Sequence, residues 1–198
     1  YTAPLISGAG ETYYISESVA EKISETKSPQ GVFAVCRAGE NPPDFDRDGV
    51  FVLLSELQDP GNIGTILRTC EAMNVRGVLL CSCADIYSPK VLRSAMGCLF
   101  RLPTEVLSST EEGLKKLHEH AVSCYAAALS TEAEMLPQVK FAKKSCIVIG
   151  NEGNGLSAEA IAACDKTVMI PMPGRAESLN AASAAAILIY SAAVQAGI

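Results

Sequence analysis

The sequence has no tryptophan, only two histidines and just 6% aromatic residues. Both histidines, His118 and His120, stand on one charged stretch, and no GxSxG elbow accompanies them, so a serine hydrolase triad is excluded. A GxxxxGK[ST] phosphate loop and a GxGxxG fingerprint are also missing, which speaks against a nucleotide-binding metabolic enzyme of doubly wound type. Basic residues are in deficit, 16 Lys and Arg against 22 Asp and Glu, for a net charge of −6. Coating nucleic acid unspecifically needs cations in excess, so that class is disfavoured while a local basic patch is not. No charged stretch followed by an apolar run opens the chain, so a secretory leader is not expected; its start at Tyr1 reads as a piece of something longer.

What is present is a core. The 198 residues are 48% apolar, enough for one domain of ordinary size and too apolar for disorder. The eight cysteines (36, 70, 81, 83, 98, 124, 146 and 164) follow no disulfide or zinc spacing, and several lie in apolar runs where free cysteine acts as a small hydrophobe. A reducing, cytoplasmic setting and no metal are therefore expected. Leu179 to Ile198 carries no charge, but eight alanines and the polar Asn180, Ser183, Ser191 and Gln195 make it a buried helix rather than a membrane span.

Residues 1–48 are acidic and broken by Gly39, Pro42 and Pro43, with a short helix expected near Ser16 to Ser24 and a strand at Gly31 to Arg37. From Gly49 onward, continuous apolar runs alternate with helical periodicity. Strands are expected at Val50–Leu54, Gly77–Cys81, Ser123–Ala127, Cys146–Ile149 and Thr167–Ile170, with helices at 62–73, 89–96, 110–119, 157–163 and 180–196. This alternation predicts an α/β domain over 49–198, a mostly parallel sheet flanked by helices, with its ligands outside the strands' carboxyl ends. Charge is uneven: net −6 over 1–59, +3 over 60–101 and −3 over 102–198. The positive block holds Arg68, Lys90, Arg93 and Arg101, a place for phosphates to dock.

Three polar turns follow expected strands. Gln58-Asp59-Pro60-Gly61-Asn62-Ile63-Gly64 leads into a helix that carries Arg68; taken alone, it reads better as a capped helix start with Asn62 as cap and Arg68 paired to Glu71. Gly150-Asn151-Glu152-Gly153-Asn154-Gly155 permits positive φ and close backbone approach, and its carboxylate favours a cationic or sugar ligand over a phosphate. Ile170-Pro171-Met172 with Glu177-Ser178-Leu179-Asn180 closes on the last helix, which Ser178 or Asn180 would cap.

Together, in order, spacing and strand context, the three turns resemble the three motifs of the SpoU (TrmH-type) RNA ribose 2′-O-methyltransferases of the SPOUT superfamily. Tyr87-Ser88-Pro89-Lys90 and Ser94, Met96 and Gly97 also resemble that family, and residues 12–37 resemble the linker after its small N-terminal substrate-binding domain. The resemblance implies a C-terminal deep trefoil knot, a homodimer, and S-adenosylmethionine bent within the knot on main-chain groups. The positions carried over to the cofactor are Gly150, Asn151, Gly155, Ile170, Met172, Ser178 and Leu179, with Leu129 and Ser130 from the turn after Ala127. Residues 1–48 are expected to be a remnant of the RNA-binding domain with its linker.

For the chemistry, the resemblance implies Arg68, Asn62, Glu152, Ser178 and Asn180. A guanidinium stays protonated above about pH 12, so Arg68 is expected to bind a phosphate and stabilise a developing alkoxide rather than act as a literal base. The partner is structured RNA, ribosomal rather than transfer RNA, contacted through Lys90, Arg93 and Arg101. The competing readings are the same chemistry on transfer RNA and a catalytically silent RNA-binding or assembly protein; the intact Arg68, Glu152 and Asn180 oppose the second.

Overall fold

The computed structural model describes residues 9–24, 26, 28–37 and 39–197. The chain divides into two compact units, residues 1–39 and 40–198. In the first, Ser16 caps a short helix, α1 (Glu17–Ile23), through the Val19 amide. The strand expected at Gly31–Arg37 is absent: these residues pair with no strand among the described residues. Val32, Phe33 and Val35 give the segment a strand's composition, but ladder hydrogen bonds need a partner edge, which composition does not supply.

The second unit runs β1 (Gly49–Ser55), α2 (Pro60–Ala72), β2 (Gly77–Cys81), α3 (Pro89–Ala95), β3 (Thr104–Leu107), α4 (Thr110–Glu119), β4 (Ser123–Ala127), β5 (Glu134–Met135), β6 (Lys144–Ile149), α5 (Ala158–Ala162), β7 (Lys166–Met169) and α6 (Ala181–Ala196). Single 3₁₀ turns stand at Cys98–Phe100 and Leu136–Gln138. The strands form one sheet in the order β3-β2-β1-β6-β4-β7-β5, every named pair parallel. Residues 40–48 pack within this unit: Asn41 bridges Thr104, and the Phe45 ring stacks on Phe51 at 5.1 Å and on His120 at 4.9 Å.

Strand alternation divides the core between the two faces. Val50, Val52 and Leu54 of β1 pack with Ile63, Ile66 and Leu67 of α2, Val91 of α3 and Leu188 and Ile189 of α6. Phe51 and Leu53 turn to the other face, against Leu114 and Leu117 of α4 and Ala160 of α5. Burial on both faces explains why the central strands read as unbroken apolar runs. Cys70, Cys81, Cys124 and Cys146 are buried among these residues, and desolvation pushes the Cys70 and Cys81 thiols well above their ordinary range.

The helices that follow the three polar turns each begin on a side-chain cap. Asp59 Oδ1 accepts from Asn62 N at 2.8 Å, with Pro60 in the first helical position; Ser157 Oγ accepts from Ala160 N; Asn180 Oδ1 accepts from Ala182 N and Ser183 N. α6 buries Ala182, Ala185, Leu188, Ile189, Ala192 and Ala193 and stops at Gly197, whose φ of 93° is left-handed. Among the described residues no helix is long and apolar enough to cross a membrane.

Candidate active site

The loops after β1, β4, β6 and β7 meet at the carboxyl ends of the strands. The loop after β6 closes on itself: Asn151 N donates to Gly155 O at 3.0 Å and Gly155 N to Asn151 O at 2.9 Å. Asn151 holds the loop to the rest of the fold, its Nδ2 donating to Glu56 O at 2.8 Å while its Oδ1 accepts from Gly153 N and Asn154 N. Gly155 has φ +69°, and a Cβ on Gly150 would overlap the backbone of Gly155 and Leu156, so both positions demand glycine.

At the tip of this loop Glu152 reaches the turn after β1. Its Oε1 accepts from Asp59 N at 3.0 Å and Asn62 Nδ2 at 3.2 Å, and its Oε2 from Gln58 N at 3.2 Å. Asn62 Oδ1 in turn accepts from Asn180 Nδ2 at 3.0 Å, the same asparagine that caps α6. The chain Glu152, Asn62, Asn180 thus ties the three polar turns to one another. Burial alone would raise the Glu152 pKa, but its own backbone N–H and those of Asp59 and Gln58, with the Asn62 amide, outweigh it and hold the carboxyl below its ordinary value.

That depression fixes a pH dependence. Because the folded pKa lies below the unfolded one, of about 4.3, the stabilisation is complete above the unfolded value and is lost as pH falls through the folded one. Glu152→Gln, which keeps the shape and removes the charge, is expected to lower the melting temperature modestly at neutral pH and to flatten the decline below about pH 5. A melting profile for the variant parallel to the wild type throughout that acid range would show that the carboxylate is not held as described.

Beside this brace lies a cleft of about 410 Å³. Its lining combines Gly150, Asn151 and Gly155 with apolar Leu129, Ile170 and Leu179, while Met172, Ser178 and Glu152 also face it. A shallower hollow between the starts of α2 and α6 is lined by Asp59, Asn62, Ser94, Asn180 and Ser183. Among the described residues, no Lys or Arg lines either. A cleft of this size, apolar with a polar rim and a single carboxylate, suits a small ligand that carries an aromatic ring and a positive charge.

A sequence model described as the SpoU rRNA Methylase family matches residues 49–190. The chain belongs to the SpoU rRNA methylase family. It is 36% identical over 183 residues to the 23S rRNA (guanosine(2553)-2′-O)-methyltransferase RlmP of Bacillus subtilis, covering 91% of this chain and 71% of that one. It is 35% identical over 181 residues to the 23S rRNA (uridine(2479)-2′-O)-methyltransferase of Streptomyces viridochromogenes, covering 86% and 62%. The AdoMet-bound rRNA methyltransferase of Sinorhizobium meliloti superposes with a TM-score of 0.80 at 29% identity, covering 89% of this chain and 69% of that one.

Within this SpoU family member the residues singled out from sequence fall into three groups. Leu129, Gly150, Asn151, Gly155, Ile170, Met172, Ser178 and Leu179 line the cleft together with Glu152, and Asn62 and Asn180 line the adjoining hollow. Ser130 stands one residue outside the lining and caps its own turn, accepting from Glu132 N at 3.2 Å. Arg68 is exposed on α2 and, among the described residues, makes no ion pair; Glu71, its expected partner, is held instead by Arg101 at 2.8 Å. Lys90 and Arg93 are exposed on α3. Sequence reasoning placed Gln58 in the first turn but gave it no role; its amide N–H joins the Glu152 brace and its side chain donates to Glu56 O and Ser82 O. It also missed Leu156, in the loop before α5, and Ala184 and Leu188 of α6 in the cleft wall, since an apolar residue carries no sign of which wall it forms.

Proposed function

We propose that this chain is an S-adenosylmethionine-dependent ribose 2′-O-methyltransferase acting on ribosomal RNA. The observation that carries the reading is the Glu152, Asn62, Asn180 chain, which holds three polar turns together at the rim of a ligand-sized cleft. The relatives named above, both acting on 23S rRNA, support ribosomal over transfer RNA.

The cleft fits the cofactor. Gly150 leaves its backbone bare where a Cβ would collide, Ile170 and Leu179 offer apolar surface for an adenine, and among the described residues no lysine or arginine lining the cleft opposes a sulfonium. When bound, S-adenosylmethionine supplies an electrophilic methyl group on a sulfonium centre. The chain's own work is then placement: in-line geometry of two reactants accounts for much of such a reaction. Asn62 and Asn180, fixed by their mutual hydrogen bond, and Ser178 on the rim are assigned to orienting the ribose, with Glu152 as the positioning residue behind them. Arg68 is assigned to the phosphate beside the target and to the charge that grows on the 2′-oxygen as its proton leaves for solvent. Lys90, Arg93 and Arg101 are assigned to further phosphates.

Four further elements belong to the same reading. β7 pairs at the far side of β4 while α6 returns to pack beside β1 and β6, so residues 170–180 cross the loops that line the cleft; we read that crossing as the trefoil knot. A second copy is assigned to the α6 stripe of Ile187, Tyr190 and Val194, which is 41%, 59% and 51% exposed at a helix-face spacing. The remnant of an N-terminal RNA-binding domain with its linker, expected over 1–48, is read as residues 1–39, since 40–48 pack within the second unit, and the eight free thiols support a reducing, cytoplasmic setting.

The deciding experiment incubates the purified chain with ribosomal RNA and S-adenosylmethionine labelled in its methyl group, then hydrolyses the RNA in alkali. Label on the ribose oxygen blocks cleavage at its own phosphodiester, so it is expected in alkali-resistant dinucleotides. Label in mononucleotides would mean base methylation, and no incorporation alongside saturable cofactor binding would favour a silent RNA-binding protein.

A further inference from the structure

The end of the sheet opposite the cleft gathers a second set of reactive side chains. His118 stands in the last turn of α4, Cys124 is the second residue of β4, and Asp165 immediately precedes β7. β4 and β7 pair in parallel, so these places meet at the amino ends of the strands. A ring nitrogen of His118, Cys124 Sγ and a carboxylate oxygen of Asp165 all lie within 4.8 Å of one another.

The backbone holds this group in place. Asp165 N donates to Cys124 O at 2.9 Å and Cys124 N to Asp165 Oδ2 at 2.7 Å, so the chain before β7 is pinned to β4 through both residues. His118 Nε2 stands 3.5 Å from the same Oδ2. The His118 and Asp165 side chains are 41% and 50% exposed, which gives an ion a path in, whereas Cys124 is fully buried.

A histidine–carboxylate pair of that exposure contributes little by itself, and it gives no reason for a thiol to face it. The sulfur is what selects a ligand. Among the described residues no Lys or Arg stands within ion-pair reach of Asp165, and burial, then the charges of Cys124 and Asp165, push the neighbouring Cys164 thiol up to about 12. The group is short of positive charge. Magnesium and calcium take oxygen donors, whereas zinc takes thiolate, imidazole and carboxylate together, and three protein donors with one water is an arrangement it adopts. Donors around one tetrahedral zinc stand about 3–4 Å apart, so a small turn of the His118 or Cys124 side chain closes the set. We propose that His118, Cys124 and Asp165 bind a zinc ion, with water in the fourth position, that ties the end of α4 to the starts of β4 and β7. The Cys124 proton leaves for solvent as the zinc–sulfur bond forms. Cysteine spacing predicts no metal because the donors come from separate elements, Cys124 and Asp165 being 41 residues apart, and meet only in the fold. The site is independent of the methyltransferase reading.

The test titrates the full chain, reduced and freed of metal with a chelator, with zinc chloride in a calorimeter. One equivalent is expected to bind, and His118→Ala and Asp165→Asn are each expected to weaken it by at least about tenfold. Asp165→Asn keeps an oxygen for Cys124 N, so its circular dichroism should match that of the wild type. Cobalt(II), a zinc substitute that absorbs visible light, should give a thiolate-to-metal charge-transfer band in the wild type that Cys124→Ser lacks. Zinc should also raise the melting temperature of the wild type and not that of Asp165→Asn. Absence of binding to the folded chain, variants that bind zinc as tightly as the wild type, or a cobalt complex without the sulfur band overturns the proposal.

Discussion

Arg68→Ala is expected to abolish methyl transfer while leaving S-adenosylmethionine binding intact. The two effects separate because Arg68 lines neither the cleft nor the hollow beside it: it projects from α2 beyond the turn that Glu152 braces, free of any ion pair among the described residues. A cation so placed costs little in the free protein and is available to charge that appears only during reaction. Losing one such donor costs about 10²–10³ in turnover, and RNA binding weakens as well because the phosphate beside the target no longer has its cation. Arg68→Lys should recover only part of the rate, since an ammonium keeps the charge but not the planar fork that engages two oxygens at once. Single-turnover rates at saturating cofactor, beside calorimetric titration of each variant, make the measurement. Turnover in Arg68→Ala within a few-fold of wild type would remove the residue from the chemistry.

The glycines and caps of this site were legible because each answers a local demand. Asp59-Pro60 starts a helix, Asn180 caps one, and a run of three glycines in six residues announces close backbone approach, all readable without knowing what packs nearby. β1, β2, β4 and β6, buried along most of their length, were legible for the same reason, and β7, of which only Val168 is buried, was legible from its short apolar run. What escaped depends on distant chain. β3 is partly exposed at a sheet edge and β5 is two exposed residues at the other, so neither has the apolar run that marks a strand. The order β1-β6-β4-β7 follows from parallel pairing across long crossovers, which no local pattern encodes. The role of Gln58 escaped likewise: its amide matters only because Glu152, far along the chain, arrives opposite it. Gly31–Arg37 shows the reverse error, strand composition without a partner edge.

Gly150→Ala should remove cofactor binding, and the reason lies in the backbone rather than in any lost side chain. The Asn151–Gly155 pair of hydrogen bonds closes the loop so tightly that an added Cβ would overlap main-chain atoms of Gly155 and Leu156. Flexible side chains yield to such a methyl group, but here the loop itself must open, at a cost of about 1–3 kcal/mol or more. Opening it moves the cleft wall directly, and it also carries Glu152 away from Asp59 and Asn62, loosening the hold on the turn that leads to Arg68. Affinity for S-adenosylmethionine should therefore fall by at least about tenfold, with turnover falling further because two turns are displaced. Gly153→Ala is the matched control: its Cβ would meet only Asn151 Oδ1, at an ordinary 3.5 Å, and its N–H still reaches the same oxygen. With both variants verified as folded by circular dichroism, equal affinities would mean that the loop after β6 does not form the cofactor site. A loss confined to Gly150→Ala would show that the closed backbone of that loop is what receives the ligand.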